Sequence, residues 1–138
     1  MKVFLDTNVW LSATVFAGLC EALLRQCADR GWLLTTALVR EEAQEVLARK
    51  FPQLPTAQAL FDQVWSAAAC VPDVDAPADD NDARLVAAAQ AAGADFFVTG
   101  DRRVLTWETA GDMKIVNPRH AWAALFAAGA SASKAYKA

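Results

Sequence analysis

Four acidic residues stand where a solvated surface acid has little reason to be. Asp6 closes the apolar run Lys2–Leu5, and Asp101 follows Phe96-Phe97-Val98 by way of Thr99-Gly100. Short apolar runs without clean alternation read as strands covered on both faces, so both carboxylates fall just past a strand end. Asp82 precedes the helical stretch Ala83–Ala92. At about 100° per residue it falls in register with Leu85, Val86 and Ala89 on the apolar side. Glu42 flanks the apolar side made by Val39, Ala43, Val46 and Leu47, whereas Glu41 and Glu45 point well away from it. Singly, each acid has a bland reading as a turn residue, a helix cap or a complement to the helix dipole. Jointly they require a counter-charge. One pair of carboxylates about 4 Å apart repels by roughly 4 kcal/mol at an effective dielectric near 20. Such a group either takes up protons or binds a hard divalent cation. His120 is the only histidine, read as a surface or helix-start residue, and Cys20, Cys27 and Cys70 have no CxxC spacing. The donors are therefore oxygens, which suits Mg²⁺ or Mn²⁺ rather than zinc.

The chain that must position these acids has 138 residues, 55% hydrophobic and 21% charged, with a net charge of −3. That is one globular domain, too apolar for intrinsic disorder. Its charge excludes nucleic-acid binding by a basic surface alone, though not a nucleic acid held through a bound cation. The cysteines suggest no disulfide framework and read as small buried apolar residues in a reducing compartment. Asp6 interrupts the start before an apolar leader core forms, and the apolar stretch Val9–Leu24 is broken by Ser12, Thr14 and Glu21. Neither an export segment nor a membrane span is expected, and the expected location is the cytoplasm.

Along the chain, a strand over Lys2–Leu5 leads through Asp6-Thr7-Asn8 into a helical stretch from about Val9 to Arg30, ended by Gly31. Trp32–Thr36 reads as a second strand and Leu38–Lys50 as a helix. Pro52 and Pro55 separate it from another, Thr56–Ala69, before a strand at Cys70-Val71 and a loop over Pro72–Asp80. The helix Ala83–Ala92 ends at Gly93, and strands follow at Phe96–Val98 and Lys114–Val116. Asn117-Pro118 caps a last helix of about ten residues, so a domain over 1–128 is expected, with a frayed tail over 129–138. Strands alternating with helices imply an α/β fold, a parallel sheet of about five strands between two helical layers. Ligands in such folds sit beyond the carboxyl ends of the strands, where Asp6 and Asp101 lie.

With FLDTNVW, EAQEVLARKF and DDNDARLVAAAQAAGADFFVTGD, the chain resembles the PIN-domain nucleases. It is most similar to the VapC-type ribonuclease toxins of bacterial toxin–antitoxin pairs. The resemblance runs from Lys2 to about Phe126 and implies a three-layer, Rossmann-like PIN fold with an acidic pocket for Mg²⁺ or Mn²⁺. It implies that Asp6, Glu42, Asp82 and Asp101 are the catalytic acids of RNA phosphodiester hydrolysis. Asp6, Asp82 and Asp101 would hold the metal that activates water, with Glu42 completing the ligand set or orienting that water. Thr7, Asn8 and Thr99 would hydrogen-bond carboxylates or a substrate phosphate. Asn8 has a second reading as a helix cap, and Asp79 or Asp80 stands close enough in sequence to share the role of Asp82. Arg84, Arg102 and Arg103 read either as contacts to flanking phosphates or as surface residues. Trp10, Trp32, Trp65, Trp107 and Trp122 read as core or interface residues, or as platforms for RNA bases. The implied partners are an RNA substrate, a protein antitoxin and a second copy of the chain.

Two other readings are open. A phosphohydrolase working through an aspartyl-phosphate would want an acid two residues after Asp6, where Asn8 stands, and a lysine where none occurs between Lys50 and Lys114. A non-catalytic module would use the same fold only to bind a partner.

Overall fold

In the computed structural model residues 1–127 are described, and the expected tail over 129–138 lies outside them. The chain runs β1 (Val3–Leu5), α1 (Thr7–Val15), α2 (Leu19–Asp29), β2 (Leu33–Thr35), α3 (Ala37–Lys50), α4 (Pro55–Trp65) and β3 (Ala69–Cys70). It continues through α5 (Asn81–Ala91), β4 (Phe96–Val98), α6 (Arg102–Leu105), β5 (Thr109–Ala110), β6 (Met113–Val116) and α7 (Pro118–Trp122), ending in a π-helical turn over Ala123–Ala127. One sheet takes the order β3-β2-β1-β4-β6-β5. All its neighbours are parallel except β5 and β6.

β1 is at the centre because it has nothing but apolar side chains to offer. Val3, Phe4 and Leu5 are fully buried, and Phe4 stacks on Phe97 of β4 at 5.4 Å. Phe4 pairs with Leu34 on one side and Phe97 on the other. From β1 the chain builds outward to β2 and β3, then returns across β1 to β4 and β6. Right-handed crossovers put α1 to α4 on one face and α5 on the other, completing three layers. α1 packs on α2, α3 and α4 and sinks Trp10 among Phe61 and Trp65. The reversal of direction opens the crevice between β1 and β4, at their carboxyl ends.

Several expected elements differ. The single helix over Val9–Arg30 is two, α1 and α2, bent by 108° at Phe16-Ala17-Gly18. The bend lets α1 bury Val9, Trp10 and Ala13 while α2 separately buries Leu23, Leu24 and Cys27. Among the described residues no single helix is long and apolar enough to cross a membrane. The helix expected over Thr56–Ala69 stops at Trp65, leaving Ala69 to pair in β3. The sheet has six strands rather than five. The sixth arises because Gly111, at φ +60, turns β5 back along β6. α6, a single turn after Asp101, was also not expected. Of the three cysteines only Cys27 is buried, Cys20 is partly covered, and Cys70 is exposed on the edge strand. The expected ends of α5 and α7 hold: Gly93 takes φ +77 after α5, and Asn117 caps α7 through the His120 N–H at 2.7 Å. His120 itself is exposed.

Candidate active site

The parallel pairing of Leu5 with Val98 sets Asp6 and Thr99 side by side at the crevice. Asp6 also donates its backbone N–H to the Val98 carbonyl at 2.9 Å. Asp6, 3% exposed, caps α1 by accepting the Thr7 N–H at 2.8 Å on Oδ1. Its Oδ2 accepts the Thr99 hydroxyl at 2.8 Å and the Asn8 amide at 3.1 Å. Asn8 is therefore not the cap. It lies in the first turn of α1, and its Oδ1 accepts the Gly100 N–H at 3.0 Å, tying α1 to the turn after β4. The Thr99 hydroxyl, fully buried, also accepts the Asp101 N–H at 3.0 Å. Buried Asp6 and Thr99, with the exposed Asn8 bonded to both, thus join the two strand ends.

The other acids surround this triad. Glu42, on α3, accepts the Thr7 hydroxyl at 2.6 Å on one oxygen and the Asn81 amide at 3.1 Å on the other. Asn81 is a site residue that sequence reasoning missed, because its role appears only when α5 is laid against α3. Asp101 caps α6, its Oδ1 accepting the Arg103 and Val104 N–H groups at 2.8 and 3.4 Å. α5 begins earlier than the sequence suggests, at Asn81, and its cap is Asp80, which accepts the Ala83 N–H at 3.1 Å. Asp80 is thereby committed, and its other oxygen holds the Arg103 guanidinium at 2.7 Å. That leaves Asp82 in the first turn of α5, half-buried, accepting no hydrogen bond among the described residues. Glu42, Asp82 and Arg103, with Ala78 to Asn81, line an open pocket of about 570 Å³.

Electrostatics bind the group together. Burial pushes the Asp6 carboxyl up to about 6 against the pull of the Thr99 and Thr7 hydrogen bonds, and the charges of Asp82 and Glu42 push the same way. Asp82 is also raised, first by burial and then by Asp101, with Asp80 and Glu42 adding to it. The cap N–H of Ala83 and the Arg103 guanidinium hold Asp80 below the usual carboxylate range.

The convergence expected from sequence is looser than a closed ligand cage. Among the described residues no three acidic, histidine or cysteine side chains stand close enough together to enclose a metal ion as they are. Each of Asp6, Glu42 and Asp101 is held back by its own N–H, hydroxyl or amide donors, and like charges favour that spacing. The donor set nonetheless fits a hard cation. It is all oxygen, and Asp6 is a buried carboxylate with no cationic partner among the described residues, its charged form disfavoured chiefly by burial.

Of the remaining candidates, Arg84 donates from Nε to the Val74 carbonyl at 2.8 Å and so braces the loop ahead of α5. Arg102 is exposed on α6. Asp79 is an exposed member of the pocket lining. Trp10 belongs to the core, Trp65 packs against it, and Trp32 and Trp122 pack around Phe126. Trp107 lies beneath the Arg103 guanidinium, 5.1 Å from its ring centre. Compared with known proteins, the sequence profile of the PIN domain matches residues 2–103, a span that contains all four acids. No curated protein matches the chain.

Proposed function

The chain belongs to the PIN-domain family, a family of generally metal-dependent nucleases, and from that premise we propose that it is a Mg²⁺- or Mn²⁺-dependent ribonuclease. The observation that carries this reading is Asp6: a carboxylate buried at the switch point of the sheet, without a cationic partner among the described residues, with Glu42, Asp82 and Asp101 on the same edge. Asp6, Asp82 and Asp101 would hold the ion. When bound, it supplies acidity to water and offsets charge on the phosphate under attack. The chain's own groups do the positioning. Thr99 and Asn8 fix the plane of the Asp6 carboxylate from one side, and the Thr7 N–H fixes it from the other. Thr7 and Asn81 use one oxygen each of Glu42, so Glu42 keeps its orientation and retains lone pairs to accept a proton from water. The aspartyl-phosphate alternative is disfavoured: the residue where its general acid would stand, Asn8, is an amide locked between Asp6, Thr99 and Gly100.

The same reading makes the protein the toxin of a toxin–antitoxin pair, cytoplasmic because its substrate is there, dimeric, and restrained by a protein antitoxin encoded beside it. Support for this comes from the three motifs. The test is metal-dependent cleavage of single-stranded RNA by purified protein, beside induced expression in a bacterial host. Cleavage and growth arrest, both abolished in Asp6→Asn, are expected. Cleavage without arrest would leave a ribonuclease that is not a toxin, and a binding module would do neither.

A further inference from the structure

Among the described residues that line the acidic pocket, Arg103 is the one cation, and its position is set from three directions. Arg103 projects from α6, two residues past Asp101. Its Nη2 is 2.7 Å from Asp80 Oδ2 and 4.0 Å from Asp82 Oδ2, and its guanidinium carbon lies 5.1 Å over the Trp107 ring. Asp80 is no free acid, since it is pinned at the start of α5 by the Ala83 N–H. Guanidinium, cap and indole therefore hold the side chain at the pocket mouth, yet it stays 53% exposed. Only Nη2 has a side-chain partner among the described residues, so the five-donor fork keeps donors to spare.

A guanidinium so placed is poorly explained as a stabilising ion pair, because half-exposed pairs contribute about 0–1 kcal/mol. It is well explained by the substrate. A polyanion approaching Glu42, Asp79, Asp80 and Asp82 meets a field of its own sign, and a planar fork that grips phosphate by two N–H groups removes that obstacle. Arg84 cannot serve, being turned to Val74. We propose that Arg103 is a substrate-binding residue that clamps an RNA phosphate beside the scissile one, held in place by Asp80 and Trp107. This rests on the ribonuclease reading and deepens it.

The test uses the full chain and a fluorescein-labelled single-stranded RNA decamer. Binding is followed by anisotropy at stepped NaCl concentrations, and cleavage with Mg²⁺ or Mn²⁺ gives KM and kcat. For Arg103→Met, Kd and KM should rise about tenfold with kcat changed less than threefold. The slope of log K against log salt should flatten by about 0.7, the loss of one phosphate contact on a single strand. Arg103→Lys should recover the salt slope but only part of the affinity, since ammonium lacks the fork. Asp80→Asn keeps the cap but loosens the guanidinium, so KM should rise about threefold with an unchanged melting temperature. Arg25→Met, on the far pair with Glu21, should match wild type. An active wild type beside a folded Arg103→Met with unaltered KM and salt slope overturns the assignment alone, as does faster cleavage by that variant. A wild type that neither binds nor cleaves RNA overturns the ribonuclease reading and the assignment with it.

Discussion

At the scale of single residues, the tension sits in Asp6. Its carboxyl is pushed up to about 6 in the folded chain and titrates near 3.8 when unfolded. Between those values the folded state holds the proton more tightly. The stability contributed is thus full below about pH 3.8, is lost as pH rises to about 6, and stays lost above. Two units correspond to about 3 kcal/mol. In EDTA, urea unfolding should show Asp6→Asn gaining on wild type by about that much between pH 4 and 7, and superimposable profiles would refute the account. Asp82→Asn is expected to hold or raise stability without metal while losing both Mg²⁺-induced stabilisation and cleavage. Glu45→Gln, on the exposed pair with Arg49, should keep both. The sequence was most readable at this scale, because an acid in register with Leu85, Val86 and Ala89 contradicts the pattern around it. What it could not reveal is which donors each acid receives. Thr7 to Glu42 spans 35 positions and Thr99 to Asp6 spans 93, and no local periodicity encodes such pairs.

At the scale of elements, legibility followed length and punctuation. β4 was read to the residue because Phe96-Phe97-Val98 lies between Gly93 and Gly100, and the end of α5 because Gly93 takes positive φ. α6 and β5 were missed, being too short, at four and two residues, to show any period. The α1–α2 break was missed because apolar residues continue straight through it, and only tertiary burial of two separate faces shows the bend. The β5–β6 hairpin depends on Gly111, whose φ is +60 and whose missing Cβ would lie 2.7 Å from Gln90 Nε2. The amide can swing aside, so Gly111→Ala should cost about 1 kcal/mol through the backbone alone. Asn should cost less, as it tolerates that conformation better. A lower urea midpoint with an unchanged m-value is the expected result, and no change in midpoint would contradict it.

At the scale of the whole molecule, alternating strands and helices told of a layered sheet, and the carboxyl-edge rule told where its ligands would gather. The strand order was beyond reach, since any of several orders buries the same apolar runs. Phe97, fully buried and stacked on Phe4 in the paired centre of the sheet, is the residue whose loss all layers should feel. Phe97→Ala should destabilise by about 3–5 kcal/mol in chemical unfolding, and a loss under 1 kcal/mol would mean the centre is not packed as described. A homodimer is expected in light scattering, and a monomer at micromolar concentration counts against the toxin reading. The joining of Asp6 to Thr99 also governs when a newly made chain completes its site. The two are 93 positions apart, and at roughly 5–20 residues per second a ribosome needs about 5–20 s to pass from one to the other. Throughout that interval β1 has no β4 to lie against, and the buried carboxylate has neither its hydroxyl donor nor Asp101, the last of the four acids. The crevice is therefore assembled only once β4 has been made, 93 positions after the carboxylate that it completes.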